Sequence, residues 1–155
     1  MVAAVDILIP TYRRPAALAV TLTSLVAQTC RDFRIVILDQ TEDSDLVTSG
    51  EVQAVIRVLR AHGHVVEVYK HLPRLGMAEQ RQFLLNQVIA QYSLFLDDDL
   101  ILEPDVVERM LIAIQEESCG FVGCAFSGLS FIDDVRPHEQ KIEFWDVSAA
   151  RGSQT

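Results

Sequence analysis

The stretch VDILIPTYRRP, residues 5–15, decides the fold, because a short apolar run there passes directly into the start of a helix. Residues 5–9 are apolar apart from Asp6 and are followed by Pro10, which predicts a buried strand. Pro15 suits the first turn of a helix, where its missing N–H costs no hydrogen bond. This segment is therefore predicted to form a strand, a loop and a helix in that order.

The alternation of strand and helix continues outward from this segment. We predict strands at 5–9, 33–38, 64–69, 92–96 and 120–126, and helices at 15–28, 52–61, from Gly76 onward and at 104–114. The expected buried faces are Leu18, Leu22, Leu25 and Val26 in the first helix, and Met77, Leu84, Leu85, Val88 and Ile89 in the third. Alternation at this spacing predicts βαβ units with right-handed crossovers. The predicted fold class is α/β, a layered and mostly parallel sheet flanked by helices.

The composition fits one globular domain. The chain has 155 residues, of which 50% are hydrophobic and 23% charged, so it can bury a core without disulfides. Its formal charge of −9 disfavours binding to nucleic acid, whose phosphates require a basic surface. We predict a domain over residues 1–146, and a loose tail or truncation point at 147–155, where the sequence is small, polar and without periodicity.

The cysteines and the apolar segments bear on location. Cys30, Cys119 and Cys124 form no CxxC pair and are too few for a disulfide framework, so reduced thiols and a cytoplasmic location are expected. The first ten residues lack a basic segment, so no secretory signal is predicted. The most apolar helical stretch, residues 16–27, is too short to span a bilayer, so no transmembrane segment is predicted.

Polar and charged side chains follow three of the predicted strands. Pro10, Thr11, Tyr12 and Arg13 follow the first strand, Asp39 and Gln40 the second, and Asp97, Asp98 and Asp99 the fourth. In open α/β sheets, ligands bind beyond the carboxyl ends of the strands. We therefore expect these residues to lie around one cleft at one edge of the sheet.

The three consecutive aspartates predict a metal or ligand site. Bare neighbouring carboxylates repel one another, and a hard divalent cation relieves that repulsion, since Mg²⁺ is usually held by one or two carboxylates and substrate phosphates. On an extended backbone alternate side chains face the same way, so Asp97 and Asp99 are expected to converge and Asp98 to point elsewhere. The alternative interpretation is a solvated acidic loop, which is common in an acidic protein.

Sequence motifs of several other enzyme classes are absent. The chain has no GxGxxG after the first strand, no GxxxxGK[ST] phosphate loop and no GxSxG turn. His62, His64, His71 and His138 have no metal-ligand spacing and are expected on the surface or in loops.

Several segments in a fixed order carry a family resemblance over residues 5–126. They are VDILIPTYRRP (5–15), SLVAQT (24–29), DF (32–33) before IVILD (35–39), the helix start Gly76-x-Ala78-x-x-Arg81, and LFLDDD (94–99) followed by Pro104 and Asp105. Each motif alone is unspecific, but the ordered set resembles the N-terminal, nucleotide-sugar-binding portion of the family 2 glycosyltransferases, which have the GT-A fold.

The resemblance implies a role for each matching residue. Pro10, Thr11, Tyr12, Arg13, Asp39, Gln40, Arg81, Asp97 and Asp98 would bind a nucleotide-diphosphate sugar, and Asp97 and Asp99 a Mn²⁺ or Mg²⁺ ion. Asp39 would accept a hydrogen bond from a uracil-type base, so the implied donor is a UDP-sugar. A metal at the diphosphate would stabilise the charge that develops as this group leaves. The implied activity is metal-dependent glycosyl transfer to an unknown saccharide, lipid or protein acceptor.

The sequence departs from the family pattern at two places within the matching segments. Residues 40–42 read Gln-Thr-Glu where the family often has Asp-Gly-Ser after the residue equivalent to Asp39. Gln82 stands where an Asn usually follows the residue equivalent to Arg81. The first departure lies in the segment that would recognise the base, although the loop remains polar.

The catalytic base is unassigned. In the family an acceptor-side half downstream of the aspartates supplies the base that deprotonates the acceptor hydroxyl. Asp133, Asp134 and Glu139 match no base motif in position and are expected to be surface or loop residues. The chain alone is therefore expected to bind nucleotide without transferring sugar at a useful rate, and to self-associate if its domain is incomplete and exposes apolar surface.

Two other functions stay open at this point. One is a product that only binds metal and nucleotide. The other is a phosphatase of the haloacid-dehalogenase type, because residues 96–99 resemble its Asp-x-Asp nucleophile strand. That family places the motif on its opening strand, whereas here three strand–helix units precede it, which argues against the phosphatase.

Overall fold

The structure is a computed structural model that describes residues 2–44 and 48–124, in which strands and helices alternate. In chain order these are β1 (Val5–Thr11), α1 (Pro15–Val26), β2 (Phe33–Asp39), α2 (Gly50–Ala61), β3 (Val66–Lys70), α3 (Met77–Leu85), β4 (Tyr92–Phe95) and α4 (Val106–Glu116). All of them belong to the first of two compact units, Met1–Val122 and Gly123–Thr155. No helix in the described residues is long and apolar enough to cross a membrane.

The strands form one parallel sheet in the order β3-β2-β1-β4. The predicted α/β class is therefore confirmed. The predicted ends of the elements lie within about two residues of the observed ones, except at the end of α3, for which only the start was predicted. β1 and β2 occupy the centre, and both are buried along their whole length. This explains their near-continuous apolar sequences, because a central strand of such a sheet is covered on both faces.

The side chains of the central strands alternate between two hydrophobic cores. On one face, Ile7, Ile9, Ile35 and Ile37 pack with apolar side chains of α1 and α2. On the other face, Leu8, Val36 and Leu38 pack with Leu84 of α3. The two faces are therefore covered by different helices, and within residues 2–44 and 48–124 the buried helical side chain of the second core comes from α3.

The predicted buried face of α3 is wrong in most of its members. Leu84 is buried, but Met77, Leu85 and Ile89 are exposed. The helix ends at Leu85, so Ile89 lies in the connection to β4 and not on a helical face. The other buried residue of α3 is the polar Gln80, which a search for apolar periodicity passes over.

Two further predictions differ from the structure. Val26 at the end of α1 is only partly buried. The predicted fifth strand is not found over residues 120–124, which lie almost entirely in solvent without a ladder partner in the described part, and residues 125 and 126 lie outside it. The predicted tail at 147–155 also lies outside the described residues.

A buried ion pair crosses the second face of the sheet. Asp6 of β1 and Arg34 of β2 are register partners, and the Arg34 Nε and Nη2 donate to the two Asp6 carboxylate oxygens at 2.9 and 2.8 Å. Asp6 Oδ2 also accepts from the N–H groups of Ile89 and Ala90 at 2.8 and 3.0 Å. Burial raises the pKa of Asp6, but these hydrogen bonds outweigh burial and hold the pKa below its usual value.

His64 lies in the loop between α2 and β3, which agrees with the expected surface or loop position, but it is buried there. Its ring stacks on Phe33 with the centroids 4.1 Å apart, and its Nδ1 lies 3.4 Å from the Phe33 carbonyl oxygen. Its Nε2 is buried and has no hydrogen-bond partner among the residues that the structure describes. Burial therefore lowers the pKa of His64 and favours the neutral ring.

Candidate functional site

The predicted site residues of β1, β2 and β4 meet at the carboxyl edge of the sheet. β1 ends at Thr11 and β2 at Asp39, and these two residues are register partners. β4 lies on the other side of β1 and ends at Phe95, two residues before Asp97. The expected convergence of Thr11, Asp39 and the aspartates at one edge is thus what the topology produces.

The three aspartates lie in two different environments. Asp98 is buried, with 7% of its surface exposed, and accepts a hydrogen bond from Thr11 Oγ1 at 2.6 Å. The side chains of Asp97 and Asp99 are 57% and 51% exposed. Asp98 therefore differs from its neighbours in burial, which agrees with the prediction that its side chain points elsewhere. The convergence expected for Asp97 and Asp99 stays a prediction. The difference in burial arises in a turn after β4 and not on the strand itself.

The buried Asp98 connects the aspartate turn to the end of β1. Burial raises the pKa of its carboxyl group, and the hydrogen bond from Thr11 and the charge of Arg14 only partly offset this. Because Thr11 is the last residue of β1, the hydrogen bond fixes the turn that carries the aspartates to the central strand.

Each exposed aspartate faces an arginine. Arg14 Nη1 donates to Asp99 Oδ2 at 2.7 Å and lies 3.6 Å from Asp98 Oδ1, while Arg81 Nη2 lies 3.5 Å from Asp97 Oδ1. Arg14 was not among the predicted site residues. Its position next to Arg13, in the loop after the first strand, was the available signal.

Arg13 and Arg14 point to opposite sides of the loop that follows β1. The Arg13 guanidinium pairs with Asp43 and lies 3.6 Å from Glu42 Oε2, in the segment after β2. Its backbone has a φ of 55°, in the left-handed region that non-glycine residues rarely adopt. This turn of the backbone separates the predicted Arg13 from the aspartates, whereas Arg14 reaches them.

Asp39 and Gln40 are buried at the end of β2. Asp39 Oδ1 accepts from the N–H of Thr41 at 2.7 Å, and its Oδ2 lies 3.6 Å from Lys70 Nζ at the end of β3. Gln40 Nε2 donates to Glu79 Oε2 of α3 at 3.1 Å. The sequence motifs do not predict Lys70 or Glu79. Lys70 lies outside every quoted motif, and Glu79 occupies one of the unspecified positions between Ala78 and Arg81.

Tyr12 lies between two guanidinium groups. The Arg74 guanidinium carbon is 4.0 Å from the ring centroid, and that of Arg13 is 5.2 Å away. Pro10 is buried within β1 and forms part of the strand instead of an open contact surface. Five cationic side chains thus gather at this edge of a chain with a formal charge of −9: Arg13, Arg14, Lys70, Arg74 and Arg81. Four of them already pair with carboxylates of the same edge, namely Asp43, Asp99, Asp39 and Asp97, so an anionic ligand would have to compete with these carboxylates or bind together with a cation.

A divalent cation at this edge would have few protein ligands. Within residues 2–44 and 48–124, no group of three or more His, Cys, Asp or Glu side chains could hold a metal. An ion at the exposed Asp97 and Asp99 would therefore complete its shell with phosphate and water oxygens. That is the usual arrangement for Mg²⁺.

Comparisons with known proteins identify a family for this chain. The family model described as glycosyl transferase family 2 matches residues 6–151. An uncharacterized glycosyltransferase of Haemophilus influenzae is 28% identical over 111 residues, which cover 72% of this chain and 34% of that protein.

Solved structures share the fold at low sequence identity. S. aureus TarS 1–349 in complex with UDP is 18% identical, with a TM-score of 0.61 over 79% of this chain and 38% of that one. The mannosyltransferase PcManGT from Pyrobaculum calidifontis, in complex with GDP-Man and Mn²⁺, is 17% identical, with a TM-score of 0.64 over 81% of this chain and 36% of that one. The chain thus spans about a third of the length of these relatives. Since the family match extends over most of its residues, the chain belongs to glycosyl transferase family 2.

Proposed function

We propose that this chain is the nucleotide-sugar-binding part of a metal-dependent glycosyltransferase. Its donor is a nucleotide-diphosphate sugar of the uridine type, and its acceptor is a saccharide, lipid or protein. The family membership supports the reaction class. The similar structures include complexes with UDP, with UDP-GlcNAc, and with GDP-Man and Mn²⁺, which supports a sugar nucleotide as the ligand class here.

The main support for this proposal is the order in which the polar side chains follow one another along the carboxyl edge of the sheet. The strand order puts β1 between β2 and β4, so Thr11 separates the buried Asp39 from the exposed Asp97 and Asp99. A nucleoside diphosphate has hydrogen-bond donors on its base at one end and two phosphates at the other. Asp39 suits the base as an acceptor, and the arginine-lined aspartates suit the diphosphate.

At the aspartate end, some residues are proposed to bind the metal ion and the phosphates, and others to keep the turn that carries the aspartates in place. Asp97 and Asp99 are proposed to hold Mn²⁺ or Mg²⁺, which when bound supplies charge stabilisation to the leaving diphosphate. Arg14 and Arg81 already lie beside these carboxylates and can donate to phosphate oxygens. Asp98, through Thr11, keeps this turn in place.

The residues at the other end are proposed to surround the nucleoside. They are Thr11, Tyr12, Arg13, Asp39 and Gln40, and Pro10 is not among them because it forms part of the buried strand β1. Tyr12 and Asp39 are the two that offer a ring face and a carboxylate to a base. The proposed catalytic base remains unassigned, because Asp133, Asp134 and Glu139 lie outside the described residues.

The phosphatase alternative is not retained. The family match and the shared fold favour a glycosyltransferase, and the aspartates follow the fourth strand of the chain instead of the first. A cytoplasmic location is proposed because the three cysteines are free.

Thermal unfolding with a panel of nucleotides tests the proposal. UDP with Mn²⁺, at about 100 times its Kd, is expected to stabilise the chain by about 2.7 kcal/mol, a rise in Tm of about 5–10 °C. GDP and CDP with Mn²⁺, and each nucleotide with EDTA, complete the panel. If no nucleoside diphosphate raises the Tm in the presence of Mn²⁺, the proposal is wrong.

Two variants separate the metal-dependent part of the stabilisation by UDP from the rest. Asp99→Asn should remove the difference between Mn²⁺ and EDTA, because the proposed ion loses one of its two protein carboxylates. Glu116→Gln, at the last residue of α4, removes the same charge from an exposed position and should leave that difference unchanged. Equal behaviour of the two variants would argue against the proposed metal ligands.

A further inference from the structure

Three consecutive residues of α3 reach the ends of all four strands. Glu79, Gln80 and Arg81 lie in the first half of the helix, which starts directly after Gly76. The contacts run from Glu79 to Gln40 and His71, from Gln80 to Thr11 and Leu38, and from Arg81 to Asp97. One turn of α3 therefore spans the whole carboxyl edge.

Gln80 is the buried member of this trio. Its Nε2 donates to the carbonyl oxygen of Leu38 at 2.9 Å and to that of Thr11 at 3.2 Å. A carboxamide nitrogen carries two N–H groups, so both donors are used, one on each of two neighbouring strands. The side chain is thus a cross-link between the ends of β1 and β2.

The two carbonyl groups belong to the backbone that carries the site. Thr11 donates its hydroxyl to Asp98, so the position of Thr11 sets the position of the aspartate turn. Leu38 immediately precedes Asp39 in β2. The carboxamide of Gln80 therefore lies between the nucleoside end and the diphosphate end of the proposed site.

We propose that Gln80 is a positioning residue for the nucleotide diphosphate. It holds the ends of β1 and β2 at the spacing at which Asp39 and the aspartate turn engage one ligand together. This inference rests on the proposed function. Gln80 touches no ligand itself and acts only through the backbone of Thr11 and Leu38.

The role predicts an effect that depends on ligand length. A nucleoside needs only the Asp39 end, and pyrophosphate with Mn²⁺ needs only the aspartate end. UDP needs both ends at a fixed separation, and the gain from linking two fragments is lost when the geometry does not allow simultaneous contact. If the spacing between the ends of β1 and β2 is lost, the binding of UDP should therefore weaken much more than the binding of uridine or of pyrophosphate.

The test compares two buried glutamines in the full chain. Gln80→Met keeps an unbranched side chain of similar length and removes both donors. Gln28→Met is the control, because Gln28 is also buried and its Nε2 also donates to two backbone carbonyls, those of Ser24 and Glu103. Its Oε1 also accepts from the N–H of Val107 in α4, so this variant loses a further hydrogen bond and is the more demanding control for damage to the fold. Binding of UDP with Mn²⁺ is measured by calorimetry, and that of uridine and of pyrophosphate with Mn²⁺ by NMR titration, below the Tm of every variant.

The expected result for Gln80→Met is a Kd for UDP raised about tenfold, with Kd values for uridine and pyrophosphate within about twofold of wild type. Gln28→Met should lower the Tm and leave all three Kd values within about twofold. If Gln80→Met does not fold, Gln80→Asn takes its place, since it retains the amide but is one methylene too short to reach both carbonyls.

Two results would overturn the inference while leaving the proposed function intact. One is a Kd for UDP that rises no more in the Gln80 variant than in the Gln28 variant. The other is an equal loss for UDP, uridine and pyrophosphate, which indicates general damage to the fold. If wild type binds neither UDP nor GDP with Mn²⁺, the proposed function fails and the inference fails with it.

Discussion

Removal of the Asp6 carboxylate is expected to take away a large part of the stability of the fold. The carboxylate accepts two hydrogen bonds from Arg34 and two from the N–H groups of Ile89 and Ala90. Asp6→Ala leaves a guanidinium buried without its main partner and two N–H groups without their acceptor. Breaking one side of a buried ion pair typically costs about 3–5 kcal/mol, from a total of about 5–15 kcal/mol for a whole domain.

The assay is thermal and urea-induced unfolding of the full chain. At about 2–4 °C per kcal/mol for a chain near this size, the expected fall in Tm is about 6–20 °C. The control is Asp43→Ala, which breaks an exposed pair with Arg13 in which the Asp43 side chain is 78% exposed. Exposed pairs contribute about 0–1 kcal/mol, so the control should change the Tm by only a few degrees.

The pH dependence adds an independent check on the same group. Because the pKa of Asp6 lies below its usual value in the folded chain, its contribution is fully present above the unfolded pKa and is lost as the pH falls through the folded pKa. The gap in stability between wild type and Asp6→Ala should therefore narrow below about pH 4. A gap no larger than that of Asp43→Ala at pH 7 would refute the reasoning about the buried network.

Two other substitutions test the buried polar groups. Thr11→Val removes the donor to Asp98 and should cost about 1–3 kcal/mol at pH 7. A protonated Asp98 needs this donor less, and burial raises the pKa of Asp98, so the cost should fall as the pH is lowered; an unchanged cost would contradict this account. His64→Phe keeps the stack on Phe33 but removes the titrating ring, whose pKa burial lowers. Wild type should lose stability as the pH falls below about 6.5, and the variant should have a flatter profile between pH 7 and 5; equal slopes would show that another group is responsible.

The strands and the polar residues at their ends can be predicted from short stretches of sequence. The apolar runs at 5–9 and 33–38, each followed by distinctive polar residues, predict central strands and place Thr11 and Asp39 at their ends. The aspartates after the fourth strand are equally visible. The convergence of these groups follows from the rule that parallel strands share a carboxyl edge, without knowledge of any contact.

The side-chain partners could not be read in the same way. Arg14 meets Asp99 across 85 positions of sequence, and Gln80 meets Thr11 across 69. Such contacts depend on the order of strands in the sheet and on the face that α3 buries. Gln80 is also polar, so a search for apolar periodicity assigned the buried face of α3 to Met77 and Leu85 instead.

Asp6 and Arg34 also determine which alignment of the two central strands is allowed. Both strands are apolar on both faces, so sliding one along the other by a step would still place hydrophobic side chains against hydrophobic side chains. A slip of one residue would turn Arg34 towards the opposite core, and a slip of two would separate the charges by about 6.6 Å along the strand. The Asp6–Arg34 pair therefore sets the register between β1 and β2. It favours one alignment over others in which hydrophobic packing alone would differ little.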